Sequence, residues 1–137
     1  MWLKEDKLHI AQLPPEWGGI VPTQVFLDEG RRLAAGAEER GFPLRLMGGV
    51  AIRAHSLDYL DLARRLGRLA AGQQEFTDLD FMSYGRYREA VRSLFEALGY
   101  YKRRATLSSA ASERQIYFHP RGWFFVDVFY DRLLVAN

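Results

Sequence analysis

The chain has 137 residues, of which 48% are hydrophobic and 26% charged, a composition typical of one soluble globular domain rather than a disordered chain. Its net charge of +2 excludes the large basic excess of a nucleic-acid coat protein, so any site for a polyanion must be local. It has no cysteine and no apolar run near the ~20 residues that span a bilayer, which excludes disulfides, zinc–thiolate sites and a membrane span and favours the cytoplasm.

Residues 1–22 are rich in residues that interrupt regular structure: Pro14, Pro15, Gly18, Gly19 and Pro22. This density predicts an irregular N-terminal arm before the folded domain, 23–137. Thr23 then precedes a run rich in Leu, Ala, Glu and Arg, which Gly41 closes and Pro43 cannot continue. The pattern predicts a helix with Thr23 as its N-cap and Gly41 at the left-handed position after its end.

A strand, a glycine turn and a helix are predicted next. Leu44–Met47 is short, apolar and bounded by breakers, as a buried strand would be. Gly48-Gly49 ends this strand, and Val50–His55 continues with helical composition. From Leu57 to Ala71 the leucines can share one face, which predicts a further helical segment.

The middle of the chain combines a strand with the clearest helix. Phe76–Met82 alternates in polarity and is predicted to be a strand. After it, apolar residues recur at helical spacing until Gly99, and they predict an amphipathic helix through Tyr87, Val91, Leu94, Phe95 and Leu98.

Three extended segments follow: 100–107, 114–119 and 123–130. Pro120, Arg121 and Gly122 separate the last two and predict a hairpin. The order of helix, strand, helix, strand, helix and further strands predicts an α/β (α+β) domain with a mixed β-sheet flanked by helices.

Three aspartates lie on two of these strands. Asp78 and Asp80 are at positions i and i+2, so both side chains leave the same face of the strand. Asp127 interrupts an otherwise apolar strand, where an unpaired carboxylate needs a metal, a partner or exposure to solvent. Magnesium prefers carboxylate oxygens, and positioned metal ions are the main requirement of phosphoryl and nucleotidyl transfer. The three aspartates are therefore the candidate metal ligands.

The glycine turn supplies the other half of such a site. At a turn that opens a helix, glycines let backbone N–H groups approach phosphate oxygens closely, and the helix dipole favours the anion. We expect Gly48 and Gly49 to bind nucleotide in this way, with Arg53 of the following helix as a further candidate for phosphate binding.

Met47–Ala51, Thr77–Phe81 and Phe125–Phe129 together resemble the motifs of the nucleotidyltransferase superfamily that includes polymerase-beta-like enzymes. They look most like its branch of AbiEii-type toxins and minimal nucleotidyltransferases, over roughly residues 44–131. The resemblance implies that Asp78 and Asp80 bind Mg²⁺ (or Mn²⁺). It also implies that Asp127 binds metal and acts as, or assists, the base that activates the acceptor hydroxyl.

The function implied by this resemblance is Mg-dependent transfer of a nucleoside monophosphate from ATP or another nucleoside triphosphate. The acceptor is a hydroxyl of a tRNA, a protein or a small molecule, in a toxin-like or toxin–antitoxin role. Relatives usually continue into C-terminal helices, so the domain is expected to lack that part. Two alternatives stay open: a non-catalytic domain that acts through a partner protein, and a metal-dependent nuclease that uses the same carboxylates.

Overall fold

The computed structural model of the protein describes residues 13–55, 75–103 and 114–130. Their helices and strands follow one another as α1 (Thr23–Glu39), β1 (Arg45–Met47), α2 (Gly48–His55), β2 (Asp78–Met82), α3 (Arg88–Ala97), β3 (Tyr101–Lys102), β4 (Arg114–Phe118) and β5 (Phe125–Phe129). The helix predicted from Leu57 to Ala71 lies outside the described residues. Within them, no helix is long and apolar enough to cross a membrane.

The strands form a mixed five-stranded sheet in the order β1-β2-β5-β4-β3. β2 and β5 run parallel, whereas the β1–β2, β5–β4 and β4–β3 pairs are antiparallel. A parallel pair needs a long crossover connection, and α3 belongs to the connection between β2 and β5. The predicted α/β domain with a mixed sheet is confirmed, and so is the hairpin formed by β4 and β5.

The two faces of the sheet differ in character because successive side chains of a strand point to opposite faces. One face carries fully buried apolar residues of the two central strands: Leu79, Phe81, Val126 and Val128. These pack in one hydrophobic core with residues of α1 and α3. The alternate positions on the same strands are Asp78, Asp80 and Asp127. The core therefore lies on the helical side, and the carboxylates lie on the other side.

The ends of α1 are set by two different contacts. At its C-terminus Gly41 has φ +86°, its N–H bonds to Glu38 and the Phe42 N–H bonds to Ala37, so the predicted left-handed end is confirmed. At its N-terminus the predicted Thr23 cap is wrong. Pro22 is the N-cap, and Thr23 is the first helical residue. The Thr23 hydroxyl donates a hydrogen bond to Glu75, and no side-chain hydrogen bond caps the start of the helix.

Helix α3 buries the face that its apolar spacing predicts. Val91, Leu94 and Phe95 are 0–1% exposed. Burial of each such side chain stabilises the fold by about 1.5–3 kcal/mol. Tyr87 and Leu98 pack against the same core from the two ends of the helix. The helix therefore packs on the face of the sheet opposite the carboxylates.

Several boundaries differ by a few residues from those predicted. Helix α2 begins at Gly48 rather than Val50, so the glycine turn forms the start of the helix. Strand β2 begins at Asp78 rather than Phe76, whose ring packs on Phe26 of α1. In the predicted N-terminal arm, Pro15–Trp17 forms a short 3-10 helix, and Trp17 packs edge-on against Trp123.

Candidate metal centre

The parallel pairing of β2 with β5 brings the three predicted aspartates together. Asp80 lies directly opposite Asp127, and Asp78 precedes Asp80 by two positions on the same face. One carboxylate oxygen from each of the three lies within 4.8 Å of those of the other two. This spacing allows the three residues to bind a shared cation.

The Asp127 carboxylate is the most deeply placed of the three. The residue is 7% exposed, and its Oδ1 is buried with no hydrogen-bond donor among the described residues. Among the described residues, the guanidinium of Arg114 forms an ion pair with it, with 3.9 Å between Nε and Oδ1, beyond hydrogen-bonding distance. A buried carboxylate oxygen without a donor is costly, and a metal ion would offset that cost. The residues therefore fit a divalent cation with oxygen ligands.

The electrostatics of the centre also favour a cation. Burial, followed by the charges of Asp78 and Asp127, raises the pKa of Asp80 to about 6. Burial likewise raises the pKa of Asp127, with Asp78 adding to the rise, while Arg114 and Arg103 oppose it. Without a bound cation, the cluster therefore holds a proton more readily than isolated aspartates do.

The glycine turn directly contacts this cluster. Gly48 is exposed, has φ +70°, and follows Met47, which lies opposite Asp80 in the β1–β2 pair. A Cβ at position 48 would lie 2.8 Å from the Oδ2 of Asp80, too close for any side chain without movement. Only glycine allows the backbone to approach the carboxylate in this conformation. The first turn of α2, whose N–H groups have no partner within the helix, therefore begins beside the acidic cluster.

Arg53 forms an ion pair with Glu75, with 3.8 Å between Nε and Oε2, rather than with one of the three aspartates. Sequence reasoning assigned no role to Glu75 or to Arg114. The alternation along β4 could have placed Arg114 on the carboxylate face, once the hairpin register with β5 was known. The contact between Arg53 and Glu75 joins separate elements, so no local pattern marks it.

No protein-family model and no curated protein sequence matches the chain. Among solved structures, it is similar to ANT(2")-Ia, an aminoglycoside nucleotidyltransferase whose crystal structure contains adenylyl-2"-tobramycin. The two are 26% identical, with a TM-score of 0.50, over 80% of this chain. The chain spans 50% of the length of ANT(2")-Ia. Together with the mixed sheet and its flanking helices, this likeness shows that the chain has a nucleotidyltransferase-like fold.

Proposed function

We propose that the protein is a Mg²⁺- or Mn²⁺-dependent nucleotidyltransferase, which moves a nucleoside monophosphate from a nucleoside triphosphate to a hydroxyl acceptor. The observation that carries the proposal is the convergence of Asp78, Asp80 and Asp127 beside the glycine turn. The likeness to ANT(2")-Ia, whose crystal structure contains adenylyl-2"-tobramycin, supports nucleotide transfer in general.

Each residue has a role in this proposal. Asp78, Asp80 and Asp127 would hold the metal, which neutralises phosphate charge when bound. Gly48 and Gly49 would donate backbone hydrogen bonds to phosphate oxygens.

Asp127 also acts as, or assists, the general base. This role follows from the resemblance to the nucleotidyltransferase motifs, in which the aspartate of the later strand activates the acceptor hydroxyl. The acceptor hydroxyl gives its proton to Asp127, and its oxygen attacks the α-phosphorus. A new P–O bond forms, the bond to the β-phosphate oxygen breaks, and pyrophosphate leaves.

The acceptor belongs to one of three proposed classes. The resemblance to AbiEii-type toxins favours a tRNA or a protein, in a toxin-like role within the cytoplasm. The tobramycin adduct in the ANT(2")-Ia structure favours a small molecule with hydroxyl groups. All three would use the same base and the same metal ligands, so the acceptor does not change the roles of the aspartates.

The test is transfer of label from each of four ribonucleoside triphosphates, with Mg²⁺ or Mn²⁺, to tRNA, protein and aminoglycoside acceptors. Mass spectrometry of the acceptors should show the added nucleoside monophosphate. Asp127→Asn should abolish it. Asp28→Asn is the matched control, because Asp28 is an exposed carboxylate on α1. Failure of the wild-type protein to label any acceptor, with nucleotide binding intact, would favour a non-catalytic domain that acts through a partner protein.

A further inference from the structure

Behind the glycine turn, an ion pair between a partly buried arginine and a buried glutamate side chain joins α2 to the segment that leads into β2. The Glu75 side chain is 6% exposed, and its Oε2 lies 3.8 Å from the Nε of Arg53. Its other oxygen, Oε1, accepts a hydrogen bond from the hydroxyl of Thr23, the first residue of α1. The cluster of Thr23, Arg53 and Glu75 thus connects α1, α2 and the approach to β2.

The Arg53–Glu75 contact is ionic and is not a hydrogen bond, because 3.8 Å exceeds hydrogen-bonding distance. Both facing atoms, the Nε of Arg53 and the Oε2 of Glu75, are buried and have no hydrogen-bond partner among the residues that the structure describes. Burying two charges costs free energy that such loose geometry recovers poorly. The pair is therefore a weak source of stability, and its position is the more informative property.

The segment that follows Glu75 contacts the glycine turn at two further points. The Phe76 ring lies 3.0 Å from the position that a Cβ on Gly49 would take, and the Asp80 carboxylate lies 2.8 Å from that of Gly48. The ion pair adds a third contact a little over one turn further along α2. Together the three contacts hold both the start and the body of α2 against β2 and the segment that leads into it.

We propose that Arg53 is a positioning residue for nucleotide binding, which acts through Glu75 rather than by contact with phosphate. The pair sets the orientation of α2, and thereby the distance from the backbone N–H groups of the glycine turn to the carboxylates. A guanidinium that turned to phosphate would leave Glu75 as an unpaired buried charge, which is strongly unfavourable. The inference rests on the proposed function, because there the ligand of the turn is a nucleoside triphosphate.

The effect of Glu75→Gln on nucleotide affinity has opposite signs for a positioning role and for direct contact with phosphate. If Arg53 contacted phosphate, Glu75 would compete for it, and neutral glutamine would strengthen nucleotide binding. If Arg53 acts through Glu75, Glu75→Gln and Arg53→Met should each weaken binding by about ten- to a hundredfold. The double variant should then be no weaker than either single variant, since both remove the same interaction.

The measurement is titration calorimetry with each of ATP, GTP, CTP and UTP in Mg²⁺, without an acceptor. Titration with Mn²⁺ alone is the second readout and should match the wild type, because the three aspartates are untouched. Arg53→Lys keeps the charge and should restore part of the lost affinity. Arg92→Met is the matched control, because Arg92 pairs with Glu96 on the exposed side of α3, and it should bind nucleotide like the wild type.

Four outcomes would overturn the inference. Tighter nucleotide binding by Glu75→Gln would show direct phosphate contact by Arg53, and unchanged binding in both single variants would show no role for the pair. Either result leaves the proposed function standing. A parallel loss of Mn²⁺ affinity would show that the pair only maintains the fold. Absence of nucleotide binding by the wild type would overturn the proposed function together with this inference.

Discussion

Replacement of Asp80 by asparagine should stabilise the metal-free protein at neutral pH. Burial, then the charges of Asp78 and Asp127, raises the pKa of Asp80 from its ordinary 3.8 to about 6. The folded chain consequently holds this proton more tightly than the unfolded chain does. Stability conferred by the protonated form is complete below about pH 4 and is lost as the pH rises through about 6. Above that pH the ionised carboxylate opposes folding.

The size of this effect follows from the pKa. The rise in the pKa of Asp80 corresponds to a loss of at most about 3 kcal/mol in the free energy of unfolding between about pH 4 and neutral pH. Asp80 is partly exposed, and screening by solvent reduces the expected gain to about 1–2 kcal/mol. Asparagine keeps the volume of the side chain without its charge. For a chain of this size the melting temperature at about pH 7.5 should rise by roughly 3–8 °C.

The assay is thermal unfolding of the wild type and Asp80→Asn between about pH 4 and pH 8, with a chelator present. The difference in melting temperature between the wild type and Asp80→Asn should increase as the pH rises. Millimolar Mg²⁺ or Mn²⁺ should then raise the melting temperature of the wild type more than that of the variant, because the ion binds the folded state. Asp28→Asn, at an exposed carboxylate, should show neither effect. A gap that does not change with pH, or a less stable Asp80→Asn at neutral pH, would refute the described repulsion.

Three further predictions concern the base, the turn and the core. Asp127→Asn should slow nucleotide transfer by about 10²–10⁴-fold, and a rate near that of the wild type would exclude Asp127 as the base. Gly48→Ala should cost about 1–2 kcal/mol of stability and weaken Mn²⁺ binding measured by calorimetry, because its Cβ would lie 2.8 Å from Asp80. Gly41→Ala is its control: φ is +86° there too, but the Cβ meets no described atom within 4 Å, so equal Mn²⁺ losses would contradict the role of the turn. Phe95→Ala should cost about 3–5 kcal/mol in urea unfolding while the folded protein keeps its Mn²⁺ affinity, and loss of that affinity would show that the core and the centre are coupled.

Local periodicity was sufficient for the features that depend on one element. The apolar spacing of α3 identifies its buried face, and the i, i+2 spacing of Asp78 and Asp80 is enough to place both carboxylates on one side of β2. The pairing of Asp80 with Asp127 has a different origin. It depends on the order and direction of the strands, which no local pattern encodes, and the family resemblance supplied that expectation.

Contacts between separate elements account for what the sequence did not reveal. Thr23 is a residue type that commonly caps helices, but it does not cap α1. Its hydroxyl forms a tertiary hydrogen bond with Glu75. Arg53 looks from its position alone like a residue that could reach phosphate, whereas in the structure it faces a buried carboxylate. Both contacts form only when the helices pack against the segment that leads into β2. The sequence spacing between the partner residues does not reveal this packing.

The parallel register of β2 and β5 also sets when the cluster of three aspartates can form. Asp78 and Asp80 are synthesised well before Asp127, and the pairing that unites them spans the segment containing α3, β3 and β4. Such distant contacts form slowly, because a long loop must close before they yield any free energy. In a nascent chain whose β5 has not yet left the ribosome, only Asp78 and Asp80 of the three aspartates are in place. Under the proposed function, affinity for Mn²⁺ would therefore report, during synthesis or refolding, the moment at which β5 pairs with β2.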